Sequence, residues 1–333
     1  MKDIFALLKQ GSMAALTAAI VNFVLACLKG LAFLFTANVA MFAEMMHSFG
    51  DAVNQLFVFT GSSLSKKAPT KRFPFGFGRL VNLVCLFAII IVAILSYETV
   101  REGIHHIIEP LPVQTDTTML LINIGVLLIA VVLEGIVLFK AGKELLQQAE
   151  QPYDGIKPLT LSYKYMNRAK PATKLVFLED TVATAGALLA IIGILIGRFA
   201  GIEQSEGIVS VIIGLMMFYI VYKVFMENAA GVLGESDPQM EQRISQIVFR
   251  NDDIKDIQKL IVMKEGDDLH VEVVAEIAPE LTVEYTNKLR DDIEALIMKQ
   301  SHIADVNLEF EVDDGRRSWP ETQGQLDNKS GKK

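Results

Sequence analysis

The chain is short of cysteine and of the loops that bind nucleotides, and these shortages narrow what it can be. Its two cysteines, Cys27 and Cys85, both fall in long apolar runs, where a small apolar role is the default, so a disulfide framework has no support. No phosphate loop, nucleophile motif or basic nucleic-acid patch occurs. The glycines of GFGRLVNL at 76–83 follow Pro74 and lack the strand that a dinucleotide turn requires. An enzyme is therefore not expected, nor is a nucleic-acid partner. A cleavage pattern is missing too: Met1 to Gln10 is short and weakly basic, the apolar stretch behind it continues to spanning length, and no removed leader is expected.

What is present is apolar. Of the residues, 51% are hydrophobic and the mean hydropathy is +0.37. The apolar residues come in blocks too long for ordinary core helices. Runs of about 20 such residues predict six transmembrane helices, near 12–35, 39–64, 77–101, 117–141, 174–199 and 205–226. Lys66, Lys67, Lys71, Arg72 and Arg79, together with Lys2, Lys9, Lys143, Lys157, Lys164, Arg168, Lys170 and Lys174, fall on one side of that topology. Arg101 and Arg198 fall on the other. Because basic residues near span ends stay in the cytoplasm, both termini are expected there, in a multi-pass protein of the cytoplasmic (inner) membrane.

The net charge of −8 comes largely from the segment after Glu227. There Ser236 to Phe249 reads as a helix, capped by Ser236 or Asp237 ahead of Pro238. Lys259 to Lys264 and His270 to Ile277 alternate as strands around a GDD turn at 266–268. Thr282 to Lys299 reads as an amphipathic helix, and Ala304 to Val312 as a last strand. The expected organisation is a transmembrane domain over 1–230, a cytoplasmic α+β domain over 231–314 and a disordered tail over 315–333.

The second span carries AEMMHSFGDAVNQ at 43–55, with Glu44, His47 and Asp51 on one stripe of the helix. An ionisable side chain at mid-bilayer costs on the order of 3 kcal/mol, so a stripe of three needs a reason. Glu134 lies about seven residues, or roughly 10 Å, from the cytoplasmic end of the fourth span. Glu179 and Asp180 lie near the start of the fifth, Asp180 at a similar depth. These two point about 100° apart, so one is expected inward and the other elsewhere. Imidazole and carboxylates from facing spans can hold a divalent metal such as zinc. His105 and His106, at the outer end of the third span, are read as interfacial, and His270 and His302 as surface or strand histidines.

The stretch AIVNFVLACLKGLAFLFTANVAMFAEMMHSFGDAVNQ, with Asn22, Lys29 and an HSxxD signature, resembles the cation diffusion facilitator family. So do PFGFGR at 74–79 and EGIVS at 206–210. VLEGIVLFKAGKEL, SYKYM at 162–166 and KLVFLEDTVATAG resemble one branch, that of the animal mitochondrial zinc transporter nine. The resemblance implies six spans with a metallochaperone-like, ferredoxin-like cytoplasmic domain, and a homodimer. It implies export of a divalent cation, zinc first, in exchange for protons, with no cofactor other than the transported ion. Manganese, iron(II) or cobalt export and a non-transporting metal sensor are the alternatives.

Carried over residue by residue, His47, Asp51 and Asp180 match the family's transport site. The family's histidine one turn before Asp180 is replaced here by Val176. Glu134 is expected to supply the missing ligand, with Glu179 as its rival and Glu44 in a supporting position. In the cytoplasmic domain Val274 and Asn287 stand where many relatives carry metal-binding histidines, so metal regulation through those positions is not expected.

Overall fold

The computed structural model describes residues 12–319 apart from 75, 112–115, 150, 167–170 and 267. The chain divides into two compact units, one of residues 1–67 and 81–229, the other of residues 68–80 and 230–333. The polypeptide therefore leaves the first unit after Lys67, returns at Val81 and leaves again after Ala229.

The first unit is helical. Its long helices are α1 (Met13–Thr36), α2 (Val39–Ser65), α3 (Leu80–Ile108), α4 (Thr117–Gln148), α6 (Pro171–Ala200) and α7 (Ser205–Leu233). Helix α5 (Lys157–Tyr165) is a short helix between α4 and α6. Five of the long helices have the length and apolar composition to cross a membrane, α6 through its Val176–Ala200 part. Helix α2, 27 residues long, is the sixth expected span, and its polar stripe is what lowers its hydropathy.

Local chemistry sets the helix ends. Asn38 Oδ1 accepts from Met41 N at 3.1 Å, and Ala37 closes α1 in the left-handed region at φ 51°. Asp116 Oδ1 caps α4 by accepting from Thr118 N at 2.7 Å. Several helices outrun the expected spans: α3 ends at Ile108 rather than 101, and α4 at Gln148 rather than 141. Hydrophobic runs mark where lipid ends, not where hydrogen bonding ends. Helix α5 was not foreseen, because SYKYM has no apolar run.

Helices α1 and α2 pack together, α4 packs on α6 and α1, and α2 on α6. Met41, Leu127 and Ala190 from these helices form a buried cluster with Ile213 and Met217 of α7. Outward, Phe23, Leu31, Leu34, Phe87, Ile90 and Ile94 stand exposed, as side chains facing lipid should. Helices α3 and α7 approach so closely that a Cβ on Gly103 would lie 2.8 Å from the Gly207 carbonyl oxygen.

In the second unit α8 (Pro238–Val248), β1 (Ile254–Glu265), β2 (Asp268–Ile277), α9 (Val283–Ile297) and β3 (Ile303–Val312) follow in the expected order. Strand β1 is longer than the alternation at 259–264 indicated. Asp237 is the residue that caps α8, accepting from Met240 N at 3.1 Å. The sheet order is β1-β2-β3, with β1 antiparallel and β3 parallel to the central β2. The parallel pairing needs the crossover that α9 supplies. Ile244, Val248, Ile257, Val273, Ile297 and Leu308 lie in its core. Of the stretch expected as a tail, residues 315–319 are described: Arg317 Nη1 lies 3.0 Å from Asp313 Oδ1, and Ser318 and Trp319 donate their backbone N–H groups to Asp256. Residues 320–333 lie outside the described residues, as do Lys2, Lys9, Arg168, Lys170 and Asp267.

Candidate metal site in the helical bundle

Helix α2 supplies Glu44, His47, Asp51 and Asn54 from successive turns of one stripe. Glu44 is fully buried and His47 is 3% exposed, while the side chain of Asp51 is 29% exposed. The His47 Nε2 to Asp51 Oδ2 distance is 3.6 Å, beyond a hydrogen bond, and His47 Nε2 has no hydrogen-bond partner.

Lys29, on α1, is the centre of a neighbouring network. Its fully buried Nζ donates to Glu44 Oε2 at 2.7 Å, Ser48 Oγ at 2.9 Å and Glu134 Oε1 at 3.0 Å. An ammonium has three donors, and all three are used. Glu44 reaches this position because α6 offers Gly186, where a Cβ would lie 2.6 Å from Glu44 Oε1. The second oxygens, Glu44 Oε1 and Glu134 Oε2, are buried without a partner, and so is Asp180 Oδ2.

Asp51, Glu134 and Asp180 lie within electrostatic reach of one another. Three helices thus aim His47, Asp51, Glu134 and Asp180 at a shared region. The expected parting of Glu179 from Asp180 is not what the structure has. Glu179 Oε1 lies 3.5 Å from Asn54 Nδ2, and both acids are within reach of Asp51. The extra methylene of Glu179 lets its carboxylate swing toward α2 despite the helical step. Val176 is 44% exposed.

Among the described residues, these membrane donors do not come within 4.8 Å of one another as a group of three; Glu276, Asp313 and Asp314, in the second unit, do. Like charges in a low-dielectric bundle keep apart, and Lys29 draws one Glu134 oxygen to its own side. At the far end of α2, Asn38 Nδ2 donates to Glu206 Oε1 at 2.7 Å, tying α2 to α7. His106 is buried and His105 exposed. His270 Nε2 lies 3.0 Å from Glu265 Oε2, and His302 is a turn residue at φ 67° whose carbonyl accepts from Leu269 N at 2.7 Å.

The role of Lys29 was not legible beforehand: only the packing of α2 and α4 on α1 shows that its ammonium meets Glu44, Ser48 and Glu134. The carboxylate group of the second unit was missed as well, because only strand pairing brings Glu276 beside Asp313 and Asp314.

The family model of the cation efflux transmembrane domain matches residues 15–232, and that of the cation efflux protein cytoplasmic domain matches residues 237–312. The mouse proton-coupled zinc antiporter SLC30A9, mitochondrial, is 26% identical over 235 residues, which is 69% of this chain and 39% of the mouse protein. The Bacillus subtilis manganese efflux system protein MneP is 22% identical over 290 residues, 86% of this chain and 90% of that protein. Metal tolerance protein C4 of Arabidopsis thaliana is 24% identical over 256 residues, 74% of this chain and 52% of the plant protein. The chain thus spans about two-fifths of the length of the zinc antiporters it matches.

Proposed function

The chain belongs to the cation efflux family, whose members are transporters rather than enzymes, and from that premise we propose that it exports a divalent metal cation, zinc first, in exchange for protons. The single observation that carries this reading is that buried donor atoms without hydrogen-bond partners, His47 Nε2, Glu134 Oε2 and Asp180 Oδ2, stand on three helices, α2, α4 and α6, of one membrane bundle. Asp51 completes the set. Glu44 acts through Lys29 and holds Glu134 in place, and Glu179, on Asn54, stands beside the cargo's path.

Ligands must shed their protons to bind a metal, so cation and protons compete for the same groups. In the cytoplasm-facing state a dication compensates the carboxylates; when the site faces outward, protons replace it. Rocking of the bundle supplies alternating access. Dimerisation belongs to the domain over 237–312, whose counterpart in the family is a cytoplasmic module. Both termini then lie in the cytoplasm, and the membrane is the cytoplasmic one.

A second reading, manganese rather than zinc, is favoured by the donor set itself: one imidazole among carboxylates is harder than a typical zinc site. Purified protein in liposomes loaded with a metal-sensitive dye tests both. Metal-dependent dye response that grows with an imposed proton gradient supports the exchanger, and the ratio of zinc to manganese rates ranks the cargo. Binding without dye response would overturn transport in favour of a membrane metal sensor.

A further inference from the structure

Strand β2 is the centre of the sheet, and its last turn of ladder pairs Glu276 with Asp256 on β1. On the other side β3 ends at Val312 opposite Ile277, and Asp313 N donates to the Ile277 carbonyl at 2.9 Å. That bond carries Asp313 and Asp314 past the end of the sheet and beside Glu276. One oxygen from each of Glu276, Asp313 and Asp314 lies within 4.8 Å of the others.

Crowded carboxylates alone do not make a site, but Glu276 is only 2% exposed and its Oε2 is buried without a hydrogen-bond partner. The Asp314 backbone N–H reaches the Glu276 carboxylate, and the other nearby donors go to its neighbours rather than to Oε2. Arg317 Nη1 and Gly315 N reach Asp313 Oδ1 at 3.0 and 2.9 Å, and Arg316 N reaches Asp314 Oδ1 at 2.7 Å. Ser318 and Trp319 donate to Asp256. A buried carboxylate oxygen without a hydrogen-bond partner, on a residue grouped with two further acids, is a place where a cation would be held.

We propose that Glu276, Asp313 and Asp314 bind a hard divalent cation of the calcium, magnesium or manganese class, which ties the segment after β3 to the sheet. The donors are all oxygens, with neither imidazole nor thiolate among the three, and such a set selects hard ions over zinc. A cation shared by β2 and the first two residues after β3 would fix the path of Gly315 to Trp319. The inference stands apart from the transport reading, since none of these residues lies in the bundle.

Trp319 is the chain's single tryptophan, and its backbone already touches Asp256. Terbium(III) added to the full-length, metal-stripped protein in detergent, excited through Trp319, is expected to give saturable emission equivalent to one ion per chain. Excess calcium or manganese should reverse it. Apparent affinity should fall at least tenfold in Glu276→Gln and, because Glu276 is a core position, also in Asp314→Asn, whose side chain is 52% exposed. Emission should be unaffected in Asp51→Asn. Calcium should also slow trypsin cleavage after Arg316 and Arg317 in the native chain. Absence of saturable emission, equal affinity in the native chain and Asp314→Asn, loss of emission in Asp51→Asn, or cleavage indifferent to calcium would each overturn the proposal.

Discussion

In the bundle, Glu44 and Glu134 share the buried ammonium of Lys29, whereas at the end of the sheet Glu276, Asp313 and Asp314 crowd within 4.8 Å, with Arg317 on Asp313. The difference follows from the solvent. Inside a bilayer no water screens repulsion, so each acid takes a counter-charge from the chain or stands off from its neighbours. At the sheet, water reaches Asp314, and acids can be held close by strand pairing and backbone N–H groups. On the readings proposed above, a cation is cargo in the first setting and a clasp in the second.

The sharpest way to break this comparison is to remove charge from the bundle. Asp51→Asn and Asp180→Asn should each reduce proteoliposome uptake to the level of protein-free vesicles while the protein still elutes as the native species. Native rates in either variant would remove those residues from the site.

Next in size is the exchange of ligands around the position where Val176 replaces a histidine. Glu134→Gln should weaken metal binding by more than the roughly 10- to 100-fold that loss of an outer-sphere partner costs. Glu179→Gln should do far less, and calorimetry with zinc compares the two. Val176→His in the Glu134→Gln background should restore transport and shift preference from manganese toward zinc. If Glu179→Gln proves the more damaging, Glu179 takes the place assigned to Glu134.

Removing the counter-charge tests the bundle's side of the contrast through stability. Lys29→Met leaves two buried carboxylates without their ammonium, and such a break costs about 3–5 kcal/mol. Thermal unfolding in detergent should show the loss, and adding Glu44→Gln and Glu134→Gln to Lys29→Met should recover most of it. No shift in Lys29→Met would mean the acids are already neutral.

The smallest effect belongs to a water-exposed bond. Tyr285 donates its hydroxyl to Asp253 Oδ2 at 2.6 Å, and that bond and charge raise its pKa above the ordinary tyrosine value. An acid raised on folding contributes stability that is full below its unfolded value, about 10 for tyrosine, and lost as pH climbs through the folded one. The stability gap between the native chain and Tyr285→Phe should therefore be present at pH 8 and close in strong alkali. A gap independent of pH would place the effect in packing.

The spans, the order α8-β1-β2-α9-β3 and the polar stripe of α2 were legible because each rests on periodicity or run length, which neighbouring residues alone determine. Helix α5 and the extensions of α3 and α4 were not, since polar residues continue a helix without any apolar signal. At the site, the stripe spacing of Glu44, His47 and Asp51 could be read directly. That Lys29 would bridge Glu44 and Glu134, and that Glu179 would turn toward Asn54, depended on how three helices rotate against each other. The same limit hid Glu276 beside Asp313 and Asp314, more than thirty positions apart along the chain.

The excursion of residues 68–80 out of the helical unit has a practical side. One scissor cut after Ala229 would not yield the second unit whole, because a strip of it would remain threaded between α2 and α3. Gly78 belongs to that strip, and a Cβ there would lie 2.7 Å from the Glu265 carbonyl oxygen. Chimeras that swap the second unit between relatives must therefore exchange two stretches of polypeptide together, or graft a sheet whose β1 end meets a foreign loop.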